Sequence, residues 1–414
     1  MRSEVEQKSP EAAQAQARGT NQAGMRAYNE RLVLSLVRRH GALAKTEIAR
    51  MTGLSAQTVS VIMRHLEADR LLRRGEPQRG RVGQPSVPLS LDPEGAFFVG
   101  AKVGRRSLEI VLVDFAGAVR WRTQRTYRHP RPGDTVRAIV EGVAAVEALL
   151  GPAAARRIAG IGLATPFALW SWAEAMGAPE AEMAAWRDAD LRGELAALLP
   201  YPVYLQNDAT AACGAELAFG AGVDLSDFLY LHVGAFVGGG LVLNGGLVAG
   251  RTGNAAALGS MPVQDAGGRM VQLIEIASLV VLERRLSAAS APVSALFDLS
   301  GDWSIFEPHL GRWIAEAGRG MAQAIAAASA VIELEAALID GAFPAPVRAR
   351  LIVAIEASLA EIDLSGVDPP AIRAGTLGPI ARAIGGASLP LFDRYLVGRH
   401  APAAVSGRPQ PGPG

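Results

Sequence analysis

The sequence predicts a mixed α/β protein with a small helical front end, and three observations carry that reading. Residues 25–75 show helical periods broken by short turns. From Ala96 onward, runs such as FFVGAKV, LEIVLVDF, IAGIGLA, PVYLQ and DFLYLHVG alternate with helical stretches such as DTVRAIVEGVAAVEALL and WIAEAGRGMAQAIAAASAVIEL, the alternation of an α/β body. Charge is unevenly placed. The 414 residues sum to +1, yet 25–85 holds twelve basic against five acidic residues, a net +7. Residues 1–24 carry three of each sign, which leaves −6 for the remainder. A basic front end on an acidic body points to a nucleic acid or membrane-surface partner for the front.

The same composition excludes several classes. A chain this long forms two or three domains and buries its core without staples. A single cysteine, Cys213, rules out a disulfide framework and a multi-cysteine zinc site, and fits a reducing cytoplasm. The N-terminal stretch lacks the apolar segment of a signal peptide. The most apolar run, 229–249, contains His232, Asn244 and six glycines; it reads as strand, turn and strand rather than as a membrane span. Residues 1–24 are expected to be a disordered arm and 401–414, rich in Pro and Gly, a tail.

The front end divides into elements in order. A first helix over about 26–40 carries Leu32, Leu34 and Val37 on its buried stripe, and Gly41 ends it. A second covers about 45–51, with Ile48 inward and Gly53 permitting a tight turn. A third starts at Ser55, a hydroxyl N-cap. Its stripe is Val59, Ile62, Met63 and Leu66, so Gln57, Thr58, Ser60, Val61 and Arg64 point outward. Leu71–Arg74 then reads as a strand, GEPQRGRVGQP as a turn and SVPLSLD as a returning strand. These form a winged helix-turn-helix over 25–92, whose third helix suits a major groove. The Arg79-Gly80-Arg81 tip is slim enough for a minor groove, where negative potential favours arginine. The expected DNA-contacting residues are Lys45, Ser55, Gln57, Thr58, Ser60, Arg64, Arg79, Arg81 and Gln84. A helical protein-interaction unit with a basic hinge is the blander reading.

The body, 93–400, resembles the ROK family, which groups repressors, open reading frames and sugar kinases. Within it, the chain resembles bacterial xylose- and N-acetylglucosamine-type repressors. The resemblance implies a two-lobed, actin-like and hexokinase-like fold with ligand between the lobes. It also implies motifs that this chain alters. Lys102 stands at the acidic position of the first phosphate turn, and Arg105-Arg106 replace its Gly-Thr pair. Phe167 takes a glycine position lining the sugar site. Asn207 and Asp208 match the sugar-binding Asn and the catalytic base, while Thr210 replaces a second Asn. As a residue between a strand and a helix, Asp208 can equally be an N-cap. The second phosphate turn reads GAFVGGG from Gly234, with Ala235 and Phe236 replacing Thr and Gly. Ala257 and Ser260 stand where sugar-binding Glu and zinc-binding His belong, and no cysteine follows, so no metal is expected.

From these readings the chain is expected to be a cytoplasmic, sequence-specific transcriptional regulator of sugar or related catabolic genes, with repression released by ligand as the implied sign. It is not expected to be an enzyme or to need a cofactor; Asp208 is a relict of the base. Its expected partners are double-stranded operator DNA, a sugar or sugar derivative held by Asn207, Asp208 and Asn254, and a second copy of itself. No membrane partner is expected. A body that serves only as a scaffold, or for another ligand, is the alternative, and an active sugar kinase the more distant one.

Overall fold

The computed structural model describes residues 10–77, 87–167, 169–173, 177–299 and 301–397. The chain divides into two compact units. The first comprises Met1–Gly95 together with Arg394–Val397, and the second comprises the rest from Ala96.

The first unit opens on α1, Pro10–His40, followed by α2, Lys45–Thr52, and α3, Ala56–Ala68. Val33, Leu34 and Val37 of α1 pack with Ile48 of α2 and with Val59, Ile62, Met63 and Leu66 of α3 to form the core. The α3 stripe is the expected one. On α1 the stripe is rotated: Val33 is buried and Leu32 only half-buried. The expected disordered arm also needs correction, because backbone from Pro10 to Gly24 is helical and continuous with α1. Proline suits a first helical position, and the Ala- and Gln-rich stretch after it has high helix propensity. Propagation from an anchored helix also avoids a new nucleus. Residues 1–9 and 401–414 lie outside the described residues.

Gly53 caps α2 in the left-handed region, φ 71°, where a Cβ would be strained. The Glu47 carboxylate accepts the Ala44 N–H at 2.8 Å and closes the start of α2. Strands β1, Leu72–Arg74, and β2, Leu89–Leu91, pair antiparallel, with Leu72 opposite Leu91. Their connection, the basic tip, falls on residues 78–86 and so lies outside the described residues. The unit thus runs to Gly95 rather than to residue 92. It also recruits the segment 394–397 from the far end of the chain, where the Val397 N–H donates to Ser35 Oγ at 3.1 Å.

The second unit holds two five-stranded sheets of identical plan. In the first lobe β3 (Phe97–Val103), β4 (Ser107–Asp114) and β5 (Val119–Thr126) form an antiparallel meander, and β6 (Ile158–Thr165) and β7 (Val203–Asn207) add parallel to β3, in the order β5-β4-β3-β6-β7. In the second lobe β8 (Phe228–Val233), β9 (Val237–Leu243) and β10 (Gly246–Leu247) form the meander. Strands β13 (Ala336–Gly341) and β14 (Ala371–Ala374) add parallel to β8, in the order β10-β9-β8-β13-β14. Strands β3 and β6 are buried along their whole length, as strands covered on both faces must be.

Helix α4, Pro132–Ala155, lays Val136, Ile139, Val143 and Val146 on the first sheet's core. It is long and apolar enough to cross a membrane by length and composition. A left-handed Gly151 (φ 73°) before Pro152 interrupts it. In the second lobe, helices His309–Ser329 and Ala345–Ala360 bury Trp313, Met321, Ile325, Leu351 and Ile355 against Leu229, Leu231 and Ile339. The run 229–249 forms β8, β9 and β10, the strand–turn–strand pattern expected.

Candidate nucleic-acid interface and interlobe cleft

Helix α3 presents the candidate reading surface. Ser55 Oγ accepts the Thr58 N–H at 3.1 Å and lies 2.8 Å from Thr58 Oγ1, so both hydroxyls are engaged in capping. With the apolar stripe turned inward, Gln57, Val61 and Arg64 are exposed, and Thr58 and Ser60 half-buried. Arg64 Nε donates to Ser60 O at 3.2 Å, which lays the guanidinium along the helix surface. Lys45 is half-buried at the start of α2. The candidates Arg79, Arg81 and Gln84 lie outside the described residues. Arg74 is held by Glu67, with Nε donating to Oε1 at 2.5 Å.

A feature absent from the sequence reading adjoins this face. Met25, Arg26 and Asn29 of α1 line a shallow groove with Gln57, Thr58, Val61 and His65 of α3, and Arg26 Nη2 lies 3.0 Å from His65 Nδ1. The middle of α1 therefore shares a surface with the outer face of α3. This contact joins residues more than 25 positions apart, and helical periodicity carries no signal for it.

The second candidate site is the cleft of the body. Strand β7 ends at Asn207, whose Oδ1 accepts the N–H groups of Ala209 (3.0 Å) and Thr210 (3.3 Å) and caps the helix Asp208–Phe219. The N-cap is thus Asn207, not Asp208. Asp208, first in that helix, instead receives Arg382 Nη1 on Oδ2 at 3.0 Å. Arg382 comes from the closing helix Ala381–Tyr395, and its guanidinium lies against Gly234, where a Cβ would sit 3.2 Å from both terminal nitrogens.

Both turns that correspond to the phosphate turns are tied to other elements of the chain. At the β3–β4 turn, Arg105 Nη1 and Arg106 Nη2 donate to the two oxygens of Glu283, at 3.0 and 2.8 Å, across from the second lobe. Behind them, Lys102 Nζ pairs with Glu109 Oε1 at 3.3 Å. Burial, then the nearby Arg382 charge, lowers the Lys102 ammonium's pKa. At the β8–β9 turn, the carbonyls of Gly234 and Ala235 accept the Leu279 and Val280 N–H groups at the start of helix Leu279–Ala288. Ser278 Oγ accepts the Val237 N–H at 3.0 Å. The glycines 238–240 permit packing: a Cβ on Gly240 would overlap Cys213, and one on Gly239 would overlap Leu258. Cys213 is buried, and burial raises its thiol's pKa.

Phe167 packs on Gly253, where a Cβ would sit 3.3 Å from its ring, with Gln206 Oε1 at 3.7 Å. The loop ending in Asn254 is thus brought to the strand end that carries Asn207, with Asn254 itself exposed. Where the cysteine motif of the kinases would follow, β11 (Pro262–Gln264) and β12 (Met270–Gln272) form a hairpin. Asp265 Oδ1 closes its turn by accepting the Gly267 and Arg269 N–H groups, each at 2.9 Å.

Deeper in the second lobe, Glu216 accepts the Thr376 and Leu377 N–H groups (2.7 and 2.9 Å), the Ala221 N–H and the Thr376 hydroxyl. Asp340, at the end of β13, accepts Gly378 N–H at 2.8 Å and Arg348 Nη1 at 3.0 Å. Burial, and then the Glu216 charge, push the Asp340 carboxyl up to about 6. Tyr230 hydroxyl lies 3.0 Å from His232 Nδ1, and burial with the Arg382 and Lys102 charges holds His232 well below its usual pKa.

These features define a winged helix joined to a two-lobed, hexokinase-like body. Residues 98–271 match the ROK family and residues 28–81 the MarR family. The chain is 25% identical to the uncharacterized protein y4fQ of Sinorhizobium fredii, over 89% of this chain and 92% of that one. It is 22% identical to the xylose repressor of Bacillus subtilis, over 60% of this chain and 63% of the repressor, less than two thirds of that protein's length. A solved ROK family transcriptional regulator, described as a homolog of the E. coli MLC protein, superposes with a TM-score of 0.64 at 20% identity, covering 90% of this chain and 97% of that one. Residues 98–271 thus resemble a ROK family domain, and residues 28–81 before them a MarR-type winged helix.

Proposed function

We propose that the protein is a cytoplasmic DNA-binding transcriptional regulator, a repressor of sugar or related catabolic genes, whose body senses a small molecule. The observation that carries this is the outer face of α3. Gln57, Val61 and Arg64 are exposed on a helix whose opposite side, Val59, Ile62, Met63 and Leu66, is buried, in a segment of net charge +7. The similarity to a xylose repressor and to a ROK family transcriptional regulator supports the same reading. Lys45, Ser55, Thr58 and Ser60 position the helix on the backbone, Arg64 and Gln57 reach base edges, and Arg79, Arg81 and Gln84 extend the contact from the wing. Selection of the purified full chain on random duplexes tests this. A defined motif should emerge, and Arg64→Ala should weaken binding by about 1–3 kcal/mol while relaxing one position. Failure to bind any duplex at low salt would overturn the proposal.

We infer further that the body does not transfer phosphate. The Asp208 carboxylate is paired with Arg382, and both turns that would cradle phosphate are tied to protein groups. Full-length protein with labelled ATP and a panel of hexoses and amino sugars should give no transfer, and turnover above background would sink this inference.

A further inference from the structure

The cleft brings together more cations than a neutral ligand needs. Lys102, Arg105, Arg106 and Arg382 converge around the two turns, with Arg122 Nη2 3.6 Å from the far oxygen of Glu109. Facing these five are three carboxylates, Glu109, Asp208 and Glu283. The other nearby carboxylates are already engaged, Asp340 with Arg348 and Glu216 with backbone around Thr376. Backbone N–H groups do not neutralise Glu216, so the six cations exceed the five carboxylates by one charge.

Orphaned donors mark the same place. The Nε atoms of Arg105 and Arg382 are buried and have no hydrogen-bond partner among the described residues. The Arg105 side chain is only 10% exposed and that of Arg382 13%. Buried guanidinium N–H groups normally find acceptors. A third such atom is Nε2 of His232, a residue only 1% exposed, which lies in the field of Arg382 and Lys102. Lys102 reaches the turn itself, since a Cβ on Gly104 would lie 2.5 Å from its ammonium. Arginine forks match the planar oxygens of a carboxylate or phosphate.

We propose that Lys102, Arg105 and Arg382 bind the anionic group of a small acidic effector, a carboxylate or a phosphate monoester, and that this charge distinguishes the effector from a neutral sugar. The proposal rests on the ligand-sensing reading of the body. An anion entering between Arg382 and Asp208, or between Arg105 and Glu283, competes with a carboxylate of the protein. Competition at Glu283 acts on the ion pair that joins the lobes, so binding at this position is coupled to the interlobe contact. A ligand shifts that equilibrium only by its differential affinity for the two arrangements.

The test uses the full chain at fixed ionic strength, with thermal melting and titration calorimetry as readouts. The neutral probes are glucose and xylose. Gluconate and xylonate supply the carboxylate arm, glucose 6-phosphate and xylulose 5-phosphate the phosphate arm, and inorganic phosphate the bare anion. At least one acidic sugar should bind while its neutral parent does not, and the arm that responds identifies the group. Lys102→Met and Arg382→Lys should each weaken that binding at least tenfold. Arg105→Gln, which leaves the Asp208 pair intact, serves if Arg382→Lys melts early. Equal binding of neutral sugars, no binding by any probe, or affinity unchanged in all three variants would overturn the proposal. Duplex binding by the unliganded protein is measured alongside. Duplex binding by the unliganded protein together with no binding of any acidic probe refutes the anion site and leaves the regulator; binding of an acidic probe by a protein that binds no duplex does the reverse.

Discussion

At the residue scale, the Asp208–Arg382 pair dominates the cleft. Asp208 sits where a kinase base would, yet its carboxylate holds Arg382 at 3.0 Å, with both side chains little exposed. Removing one partner leaves the other charge buried, and such losses cost about 3–5 kcal/mol, whereas replacing both is far milder. Asp208→Ala should therefore destabilise by that order in urea unfolding, and the double variant Asp208→Ala/Arg382→Met should recover most of it. A single variant as stable as wild type would contradict the pairing. Asp340 allows a sharper check. Its carboxyl is pushed up to about 6, chiefly by burial, so the folded state keeps the proton longer than the unfolded chain. Its contribution is fully present below the unfolded value near 4 and is lost as pH rises to about 6, a swing of up to about 3 kcal/mol. Asp340→Asn should therefore gain on wild type between pH 4.5 and 7. A stability difference that does not change with pH would refute it.

At the element scale, the closing helix is held by close glycine contacts as well as by its buried apolar residues Ile384, Leu389 and Leu391. A Cβ on Gly162 of β6 would overlap the Gly386 carbonyl, one on Gly100 of β3 the Ala383 carbonyl, and one on Gly385 the Ala211 backbone. Helix 381–395 thus lies backbone-to-backbone on the first sheet and on helix 208–219, which is how Arg382 reaches Asp208. Neither side of such a contact can rotate away, so Gly162→Ala should cost at least the 1–3 kcal/mol of ordinary overpacking. Gly133→Ala, in the first turn of α4 with nothing within 4 Å, should leave melting unchanged or slightly raised. Equal melting of the two variants would rule out the tight contact. Helix α3 was legible in detail, because its cap and stripe are local and periodic. The α1 stripe was misplaced by one residue: Leu32, Val33 and Leu34 are consecutive apolar residues, and periodicity alone does not say which face turns inward. Residues 10–24 were read as an arm because no apolar face could be seen, although helix propensity there is high.

At the scale of the whole molecule, the two sheets of the body share one topology, three antiparallel strands followed by two parallel ones, with no matching repeat visible in the sequence. The pairing pattern persists because it depends on chain direction and burial rather than on particular residues. The proposed DNA reader lies in one unit, whose residues 25–85 carry a net charge of +7, and a two-fold dimer would present it twice. Sedimentation of the full chain should give a dimer, and selected duplexes should be inverted repeats with half-sites about 10–10.5 bp apart or a multiple of that. The affinity should fall steeply with salt, by about 0.9 log unit per log unit for each phosphate contact. A monomer bound to single half-sites would refute the dimeric arrangement.

The sequence by itself determined the winged helix, the strand and helix order of the body, and which residues stand at the motif positions. These are local: caps, periodicity and residue identity do not depend on distant partners. Only the tertiary structure decided what replaced those motifs. Arg382 and Asp208 are 174 residues apart, and Arg105 and Glu283 178 apart. A substitution such as Lys102 or Arg105 reads along the chain as a function lost. In three dimensions it belongs to a buried set of charges whose partners lie on other elements, and the strength of such a set depends on distance and burial, which no single stretch of sequence contains.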